Sequence, residues 1–214
     1  MFDVLEKIDI KQKGIALILS SPSGAGKSSL SQKLIEKNPS FSLSISVTTR
    51  PPRPGEIEGK HYYFKSQEEF DRLSKEDSFL ESAKVFGNHY GTLRQPVEES
   101  LQKGADIIFD IDWQGTQQLC QTIRSDLVSI FLLPPSLKEL EKRLYKRAQD
   151  HEYVILERMN KAISEISHWP EYDYVIVNDD FDLTLQKIMH IVSTEKMRRR
   201  RQIGLEKFIK TLVE

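Results

Sequence analysis

Cysteine is almost absent from the sequence, since Cys120 is the single one among 214 residues. One cysteine cannot form an internal disulfide, which excludes a disulfide-stapled secreted scaffold and predicts a reducing, cytoplasmic compartment. No apolar run approaches the ~18 residues of a membrane helix. The first residues, MFDVLEKIDIKQKG, carry charges and lack the apolar centre of a signal peptide. We therefore expect no membrane association.

An excess of charge of one sign is absent as well. Lys and Arg together number 31 and Asp and Glu 32, so the formal net charge is −1. This balance argues against a general affinity for nucleic acid. The exception is KMRRRRQ, 196–202, for which a solvated helical face is favoured over a contact with RNA or an acidic partner. Homo-oligomerisation stays open.

Predicted strands alternate with predicted helices along most of the chain. The strands are 14–20, 41–47, 105–112, 127–135 and 172–180; the helices are 28–37, one starting at 66–70, 136–147, and most of the chain after Phe181. Ser66 with Glu69, and Ser136 with Glu139, are spaced as capping boxes. The alternation predicts an α/β fold with a parallel sheet flanked by helices. The segment 48–95, which opens with a stretch rich in proline and glycine, interrupts it and is expected to form an inserted subdomain.

A phosphate-binding loop is predicted between the first strand and the first helix. The stretch SSPSGAGKSSL, 20–30, fits the pattern G-x-x-x-x-G-K-[ST], except that Ser21 replaces the first glycine. Backbone N–H groups would surround a phosphate, Lys27 would bridge terminal phosphates, and the Ser28 hydroxyl would ligate Mg²⁺. The alternative is a generic turn. The predicted nucleotide-binding residues are Ser21, Pro22, Ser23, Gly24, Ala25, Gly26, Lys27, Ser28 and Ser29.

Two acidic residues end the predicted strand 105–112. Asp110 and Asp112 alternate with Ile111, so both carboxylates are expected on one side of the strand end. Such residues are the second element of a Mg-nucleotide site. The alternative, an N-cap for a helix from Trp113, explains Asp112 better than Asp110.

The inserted segment carries groups that suit a nucleoside monophosphate. Arg50 and Arg53 lie three residues apart in a proline-stiffened loop, and two guanidinium forks suit a doubly charged phosphate. Glu81 only accepts hydrogen bonds, which suits the adjacent N–H donors of guanine. The further candidates are the hydroxyls of Ser46, Tyr62, Tyr90 and Thr92.

These segments together resemble the guanylate kinase family, from about residue 14 to 195. The matching stretches are SPSGAGKSSL, SVTTRPPRPGEIEGKHYYF, FLESAKVFGNHYGT, DIIFDIDWQG, IFLLPPS, LEKRLYKR and YVIVNDD. The resemblance implies ATP-dependent phosphorylation of GMP to GDP with Mg²⁺ in purine metabolism, and phosphorylation of dGMP as well. It also implies a P-loop core (1–47, 96–135 and 171–214), a mixed α+β GMP-binding subdomain (48–95) and a helical lid (136–170).

The resemblance further implies a role for each matched residue. Ser46, Glu81, Thr92 and Asp110 would bind guanine, with Asp112 also assigned to the substrate. Arg50, Arg53, Tyr62 and Tyr90 would hold the GMP phosphate. Asn178 would lie near adenine. The predicted catalytic residues are Lys27, Arg50, Arg143, Arg147 and Arg158.

The sequence leaves two further alternatives open and departs from the family pattern at four residues. Arg143 and Arg147 also fit a solvated basic helix face. The rival function is a non-catalytic interaction module, which the intact Gly26-Lys27-Ser28 disfavours. The departures are Ser21, Ala148, His151 and Tyr153, which bear on lid mobility and ATP affinity.

Overall fold

The structure, a computed structural model, describes residues 10–85, 87–147 and 152–213, without the side chains of 146, 147 and 152–156. Its strands are β1 (Lys11–Gln12), β2 (Ala16–Ser20), β3 (Phe41–Leu43), β4 (Ser46–Thr48), β5 (Tyr63–Phe64), β6 (Phe79–Val85), β7 (Asn88–Leu93), β8 (Asp106–Phe109), β9 (Leu127–Leu133), β10 (Tyr174–Val177) and β11 (Gln202–Ile203). Its helices are α1 (Lys27–Lys37), α2 (Gln67–Lys75), α3 (Arg94–Gln102), α4 (Trp113–Thr122), α5 (Leu137–Arg147), α6 (Glu152–Ile166), α7 (Phe181–Lys196) and α8 (Leu205–Val213).

The central sheet is parallel throughout, with the strand order β10-β9-β2-β8-β3. Strand β2 lies in its middle and is buried on both faces: Leu17 and Leu19 join the cluster that contains α1 and α7 residues, and Ala16 and Ile18 join the cluster with α3 and α4 residues. A continuous apolar strand covered by helices on both faces is what a parallel sheet requires. The predicted α/β core is confirmed.

A second, smaller sheet has the order β5-β4-β7-β6. Strands β4 and β5 are parallel, while β4–β7 and β6–β7 are antiparallel. Helix α2 packs on it through Phe70, which stacks on Phe79 at a centroid distance of 4.6 Å. The capping box predicted for Ser66 and Glu69 is present at the start of α2.

The prediction of one strand over 41–47 was wrong. Phe41–Leu43 pairs with β8 in the central sheet, whereas Ser46–Thr48 pairs with β5 and β7 in the second sheet. The chain crosses between the sheets after Ser44, whose N–H still donates to the carbonyl of Ile108 at 2.9 Å. An alternating pattern cannot distinguish one strand from two that follow each other in different sheets.

The chain after Phe181 is not largely one helix, as the sequence had suggested. Helix α7 ends at Lys196, and Arg199–Arg201 form a 3₁₀ turn. Arg201 is fully buried rather than solvated, and its guanidinium donates to the carbonyls of Gly14, Asp126 and Leu127. Gly14 and Asp126 precede strands and Leu127 begins β9, so carbonyl groups at strand starts accept from this guanidinium inside the protein.

Candidate active site

The phosphate loop connects β2 at the carboxyl edge of the central sheet to α1. Gly24 and Gly26 have φ values of +91° and +105°, a region that glycine adopts without a steric penalty. Gly26 is the N-cap of α1 and offers no side chain to the first turn. The N–H groups that open a helix lack intrahelical partners, so this turn can receive an anion.

Ser21 has an ordinary backbone conformation. Asp77 is the one non-glycine residue with positive φ in the described part of the chain. The Ser21 hydroxyl donates to the carbonyl of Pro22 at 3.0 Å. The position therefore accepts a side chain without strain, which explains why the missing glycine leaves the loop intact.

Asn178 anchors the loop from the end of β10. Its side chain is buried and its Nδ2 donates to the carbonyl of Ala25 at 2.7 Å. A Cβ on Gly26 would lie 2.7 Å from the same Nδ2 atom. The close approach of Asn178 to the loop therefore depends on the absence of a side chain at Gly26. The contact of Asn178 with adenine stays a prediction.

Lys27 and the acidic residues after β8 line one cleft of about 470 Å³ with the phosphate loop. The Lys27 Nζ lies 2.5 Å from Asp110 Oδ1. Asp112 is the N-cap of α4 and accepts from the N–H of Gly115 at 3.1 Å. Strand β8 ends at Phe109, so Asp110 and Asp112 lie in the loop after the strand. Their common position in the cleft therefore comes from that loop and not from the alternation of side chains along a strand.

The oxygen donors of this cleft fit a magnesium ion. Ser28, Asp110 and Asp112 line it together. Mg²⁺ prefers such oxygens and binds through one or two protein ligands plus water and substrate phosphates. The described ranges contain no group of three His, Cys, Asp or Glu side chains arranged for a metal ion. A site completed by substrate phosphates is compatible with that finding.

The residues expected to bind guanine form one row across the second sheet. Glu81, Thr92 and Ser46 lie side by side on β6, β7 and β4. The Thr92 hydroxyl donates to Glu81 Oε1 at 2.7 Å, and Glu81 Oε2 reaches the start of α4, where a Cβ on Gly115 would lie 3.5 Å from it. Burial raises the pKa of Glu81, the Thr92 hydrogen bond opposes the rise, and the charge of Asp112 adds to it.

The residues expected to hold the GMP phosphate cluster beside this row. Tyr90 lies opposite Thr48 on the neighbouring strand, and its ring meets that of Tyr62 edge to face at 6.1 Å. The Arg50 guanidinium carbon lies 5.4 Å from the centre of the Tyr62 ring. Arg53 is exposed, and its backbone N–H donates to the Glu56 carboxylate that also binds Arg50.

Helices α5 and α6 contribute two described residues to the cleft wall, Arg143 and Glu165. Arg143 lines the cleft, and its Nε donates to Glu139 at 3.2 Å. The side chain of Arg147 lies outside the described residues, as do Ala148, His151 and the side chain of Tyr153. Arg158 lies on α6 and interacts with another group of the protein. The Glu139 N–H donates to the Ser136 hydroxyl at 3.1 Å, which is one of the two hydrogen bonds of the predicted capping box.

Two carboxylates of the site were missed by the sequence reasoning. Glu165 on α6 accepts from the N–H of Ser23 in the phosphate loop at 3.2 Å, a contact between distant parts of the chain for which no local pattern exists. Glu56 binds Arg50 within the proline-rich loop. The turn R-P-G-E, 53–56, was a usable signal for it, because it brings residue 56 back toward residue 53.

Comparison with known proteins gives one consistent answer. Residues 13–195 match the family model described as Guanylate kinase. The chain is 51% identical over 203 residues to a guanylate kinase of Paramagnetospirillum magneticum, covering 95% of both chains. It is 53% identical over 205 residues to one of Mesorhizobium japonicum, covering 96% of this chain and 94% of the relative. A crystal structure of guanylate kinase from Anaplasma phagocytophilum matches with a TM-score of 0.72 and 41% identity over 94% of this chain and 96% of that chain.

One further observation concerns membranes. Within the described ranges, the helices are too short or too polar to cross a bilayer.

Proposed function

The chain belongs to the guanylate kinase family and is an enzyme that phosphorylates GMP with ATP, and we propose that the phosphate loop and the second sheet bind these two substrates from opposite sides of one reaction site. The observation that carries this proposal is the shared position of Asp112. It lines the phosphate-loop cleft and accepts from the N–H of Gly115, and a Cβ on Gly115 would lie 3.5 Å from Glu81 Oε2 in the row of the second sheet.

The ATP side of the proposal rests on the loop. Backbone N–H groups of the first turn of α1 and the ammonium of Lys27 receive the phosphates, and the loop keeps its shape through Gly26 and Asn178. Lys27 exchanges its partner Asp110 for phosphate oxygens when ATP binds. The Asp110 carboxylate is then free for the guanine or for a metal ligand, as the family resemblance implies.

The GMP side rests on side chains. Glu81 accepts the two adjacent N–H donors of guanine, while Ser46 and Thr92 supply hydroxyls next to it. Arg50, Arg53, Tyr62 and Tyr90 receive the monophosphate. Discrimination against adenine follows because Glu81 would face a ring nitrogen lone pair instead of a donor. The same contacts accept dGMP, since none of them concerns the ribose.

The reaction needs no covalent intermediate with the protein. An oxygen of the GMP phosphate attacks the terminal phosphorus of ATP, a P–O bond forms, and the bond to the β-phosphate oxygen breaks to release ADP. Lys27, Arg143, Arg147 and Arg158 offset the negative charge in the transition state. Bound Mg²⁺, which Ser28 with Asp110 or Asp112 would hold, would supply further charge neutralisation at the phosphates.

We assign the core to 1–47, 96–135 and 171–214, the GMP-binding part to 48–95 and the lid to 136–170; the second sheet itself begins at Ser46.

The intact loop disfavours a non-catalytic interaction module. The single cysteine, which cannot form an internal disulfide, supports our proposal of a reducing, cytoplasmic location. The near-zero net charge supports the absence of a nucleic-acid partner, and self-association is compatible with every contact above.

The direct test is an ADP-release assay of the purified protein with ATP, Mg²⁺ and one nucleoside monophosphate at a time. We expect release that depends on GMP and dGMP and is at least ~10³-fold slower with AMP, because unpaired buried polar groups penalise the wrong base. Release without any monophosphate, or equal release with all of them, would contradict the proposal. Replacing Mg²⁺ by EDTA should abolish release.

A further inference from the structure

A type II turn places Glu56 beside the arginine that is expected to bind the GMP phosphate. Pro54 and Gly55 occupy its centre, Gly55 has a φ of +86°, and the Glu56 N–H donates to the carbonyl of Arg53 at 3.0 Å. In return the N–H of Arg53 donates to Glu56 Oε2 at 2.6 Å. Backbone and side chain of Glu56 are therefore both fixed to Arg53.

The same carboxylate binds the end of the Arg50 guanidinium with both oxygens. Nη1 lies 3.0 Å from Oε2, and Nη2 lies 2.7 Å from Oε1. Nη1 also donates to the carbonyl of Pro51 at 2.7 Å. The side chains of Arg50 and Glu56 are only 12% and 18% exposed, so this pair is held against the protein rather than free in solvent. Two hydrogen bonds lower the pKa of Glu56 to about 2: the larger effect comes from the Arg50 side chain and the smaller from the backbone N–H of Arg53.

This arrangement restricts how Arg50 can meet a phosphate. A guanidinium has five N–H donors in a rigid plane. Nη1 donates its two hydrogens to Pro51 and Glu56, and Nη2 donates one of its two hydrogens to Glu56. The Nε hydrogen and the other Nη2 hydrogen form the second fork of the guanidinium. The side chain also contacts the Tyr62 ring and hydrogen-bonds to Tyr90, which is itself expected to hold the same phosphate.

We propose that Glu56 is a positioning residue for GMP phosphorylation: it binds the end fork of Arg50 so that the side fork, Nε and Nη2, is presented to the phosphate of GMP. The proposal rests on the proposed function, in which Arg50 binds that phosphate. Glu56 itself touches no substrate. Its charge is required because a neutral amide would turn an N–H₂ donor toward one of the two Arg50 donors.

The test compares ligands with and without a phosphate. Equilibrium titration of Glu56→Gln should show GMP bound about 10-fold more weakly than by the unchanged protein, while guanosine, which has no phosphate to position, binds equally to both. Glu56→Asp keeps the charge on a shorter side chain and should restore part of the GMP affinity. Glu68→Gln is the matched control, since Glu68 is an exposed residue at the start of α2 in the same subdomain, and it should change neither affinity.

Three results would overturn the inference. If Glu56→Gln weakens GMP and guanosine by the same factor, its role is to stabilise the subdomain. If it binds GMP as well as or more tightly than the unchanged protein, Glu56 is neutral or competes with the phosphate. Arg50→Gln shows whether the phosphate site itself is in question. If Arg50→Gln loses GMP affinity and Glu56→Gln does not, only the positioning role of Glu56 is rejected. If Arg50→Gln loses no GMP affinity, the proposed phosphate site is rejected together with the positioning role.

Discussion

The phosphate loop, residues 20–28, and the arginine loop, residues 48–56, are both expected to receive phosphate, but they are built differently. In the phosphate loop the ligands are backbone N–H groups, set by the positive φ of Gly24 and Gly26 and by the start of α1. In the arginine loop the ligands are side chains, set by prolines and by the ion pair of Arg50 with Glu56. The backbone ligands of the phosphate loop cannot be altered by exchanging a side chain, so Lys27 and Ser28 are the ligands there that a substitution can remove, whereas the ligands of the arginine loop are all side chains.

The comparison also separates what each side can recognise. Backbone N–H groups and Lys27 respond to charge and are indifferent to the base. The second sheet adds a buried carboxylate with a fixed hydroxyl partner, Glu81 with Thr92, and so reads hydrogen-bond donors. Selectivity should therefore reside on the GMP side and catalytic charge on the ATP side.

The largest effect is expected from Glu81→Gln, which targets selectivity. We predict that the ratio of kcat/KM for GMP to that for AMP, up to ~10⁴ in the unchanged protein, falls by most of that factor, because the amide accepts one guanine donor and opposes the other. The ratio is measured by ADP release. A variant that keeps the original ratio would show that Ser46, Thr92 and Asp110 discriminate without Glu81.

The pH dependence supplies an internal check on that prediction. Burial raises the pKa of Glu81 in the protein without bound nucleotide. When the solution is acidified, this carboxyl is therefore protonated at a higher pH than that of an ordinary glutamate. Selectivity for GMP should therefore decline on acidification in the unchanged protein and be flat in Glu81→Gln.

A loss of about 10²-fold or more in kcat is expected for Lys27→Ala on the ATP side. Lys27 pairs with Asp110 in the free protein, and in the reaction its charge acts most strongly on the transferring phosphoryl group. The GMP to AMP ratio should stay unchanged, which steady-state kinetics with both monophosphates will show. If kcat persists and only the KM for ATP rises, the loop binds ATP without stabilising the transition state.

Asn178→Ala should act more weakly and on ATP alone. The variant loses one buried hydrogen bond to the carbonyl of Ala25, worth about 1 kcal/mol, so the KM for ATP should rise by about 5-fold. Asn38→Ala, at the far end of α1, is the control. An equal rise in the KM for GMP would mean that Asn178 supports the whole core rather than the loop.

The smallest effect is expected for Ser21→Gly. Its backbone is ordinary and its hydroxyl bonds only a neighbouring carbonyl, so kcat and the KM for ATP should change by less than about threefold, under ~1 kcal/mol. A large gain would identify the missing glycine as a functional handicap. A large loss would assign a role to the hydroxyl.

The sequence predicts the regular parts of this molecule and fails where distant segments decide. The loop, the cap at Ser66 and the parallel core follow from local patterns and are present. The split of 41–47 between two sheets and the burial of Arg201 depend on what packs against them, which no local pattern states. The same holds for the contact of Glu165 with Ser23, made by residues 142 positions apart.

Separate binding of the two nucleotides is the central claim, and equilibrium titration of one variant from each side tests it most directly. Arg53→Gln should bind GMP about 10-fold more weakly with an unchanged dissociation constant for ATP, because it removes one charged phosphate contact from the GMP side alone. Asn178→Ala should show the reverse. If each variant weakens both nucleotides by the same factor, the two loops do not serve separate substrates and the account is contradicted.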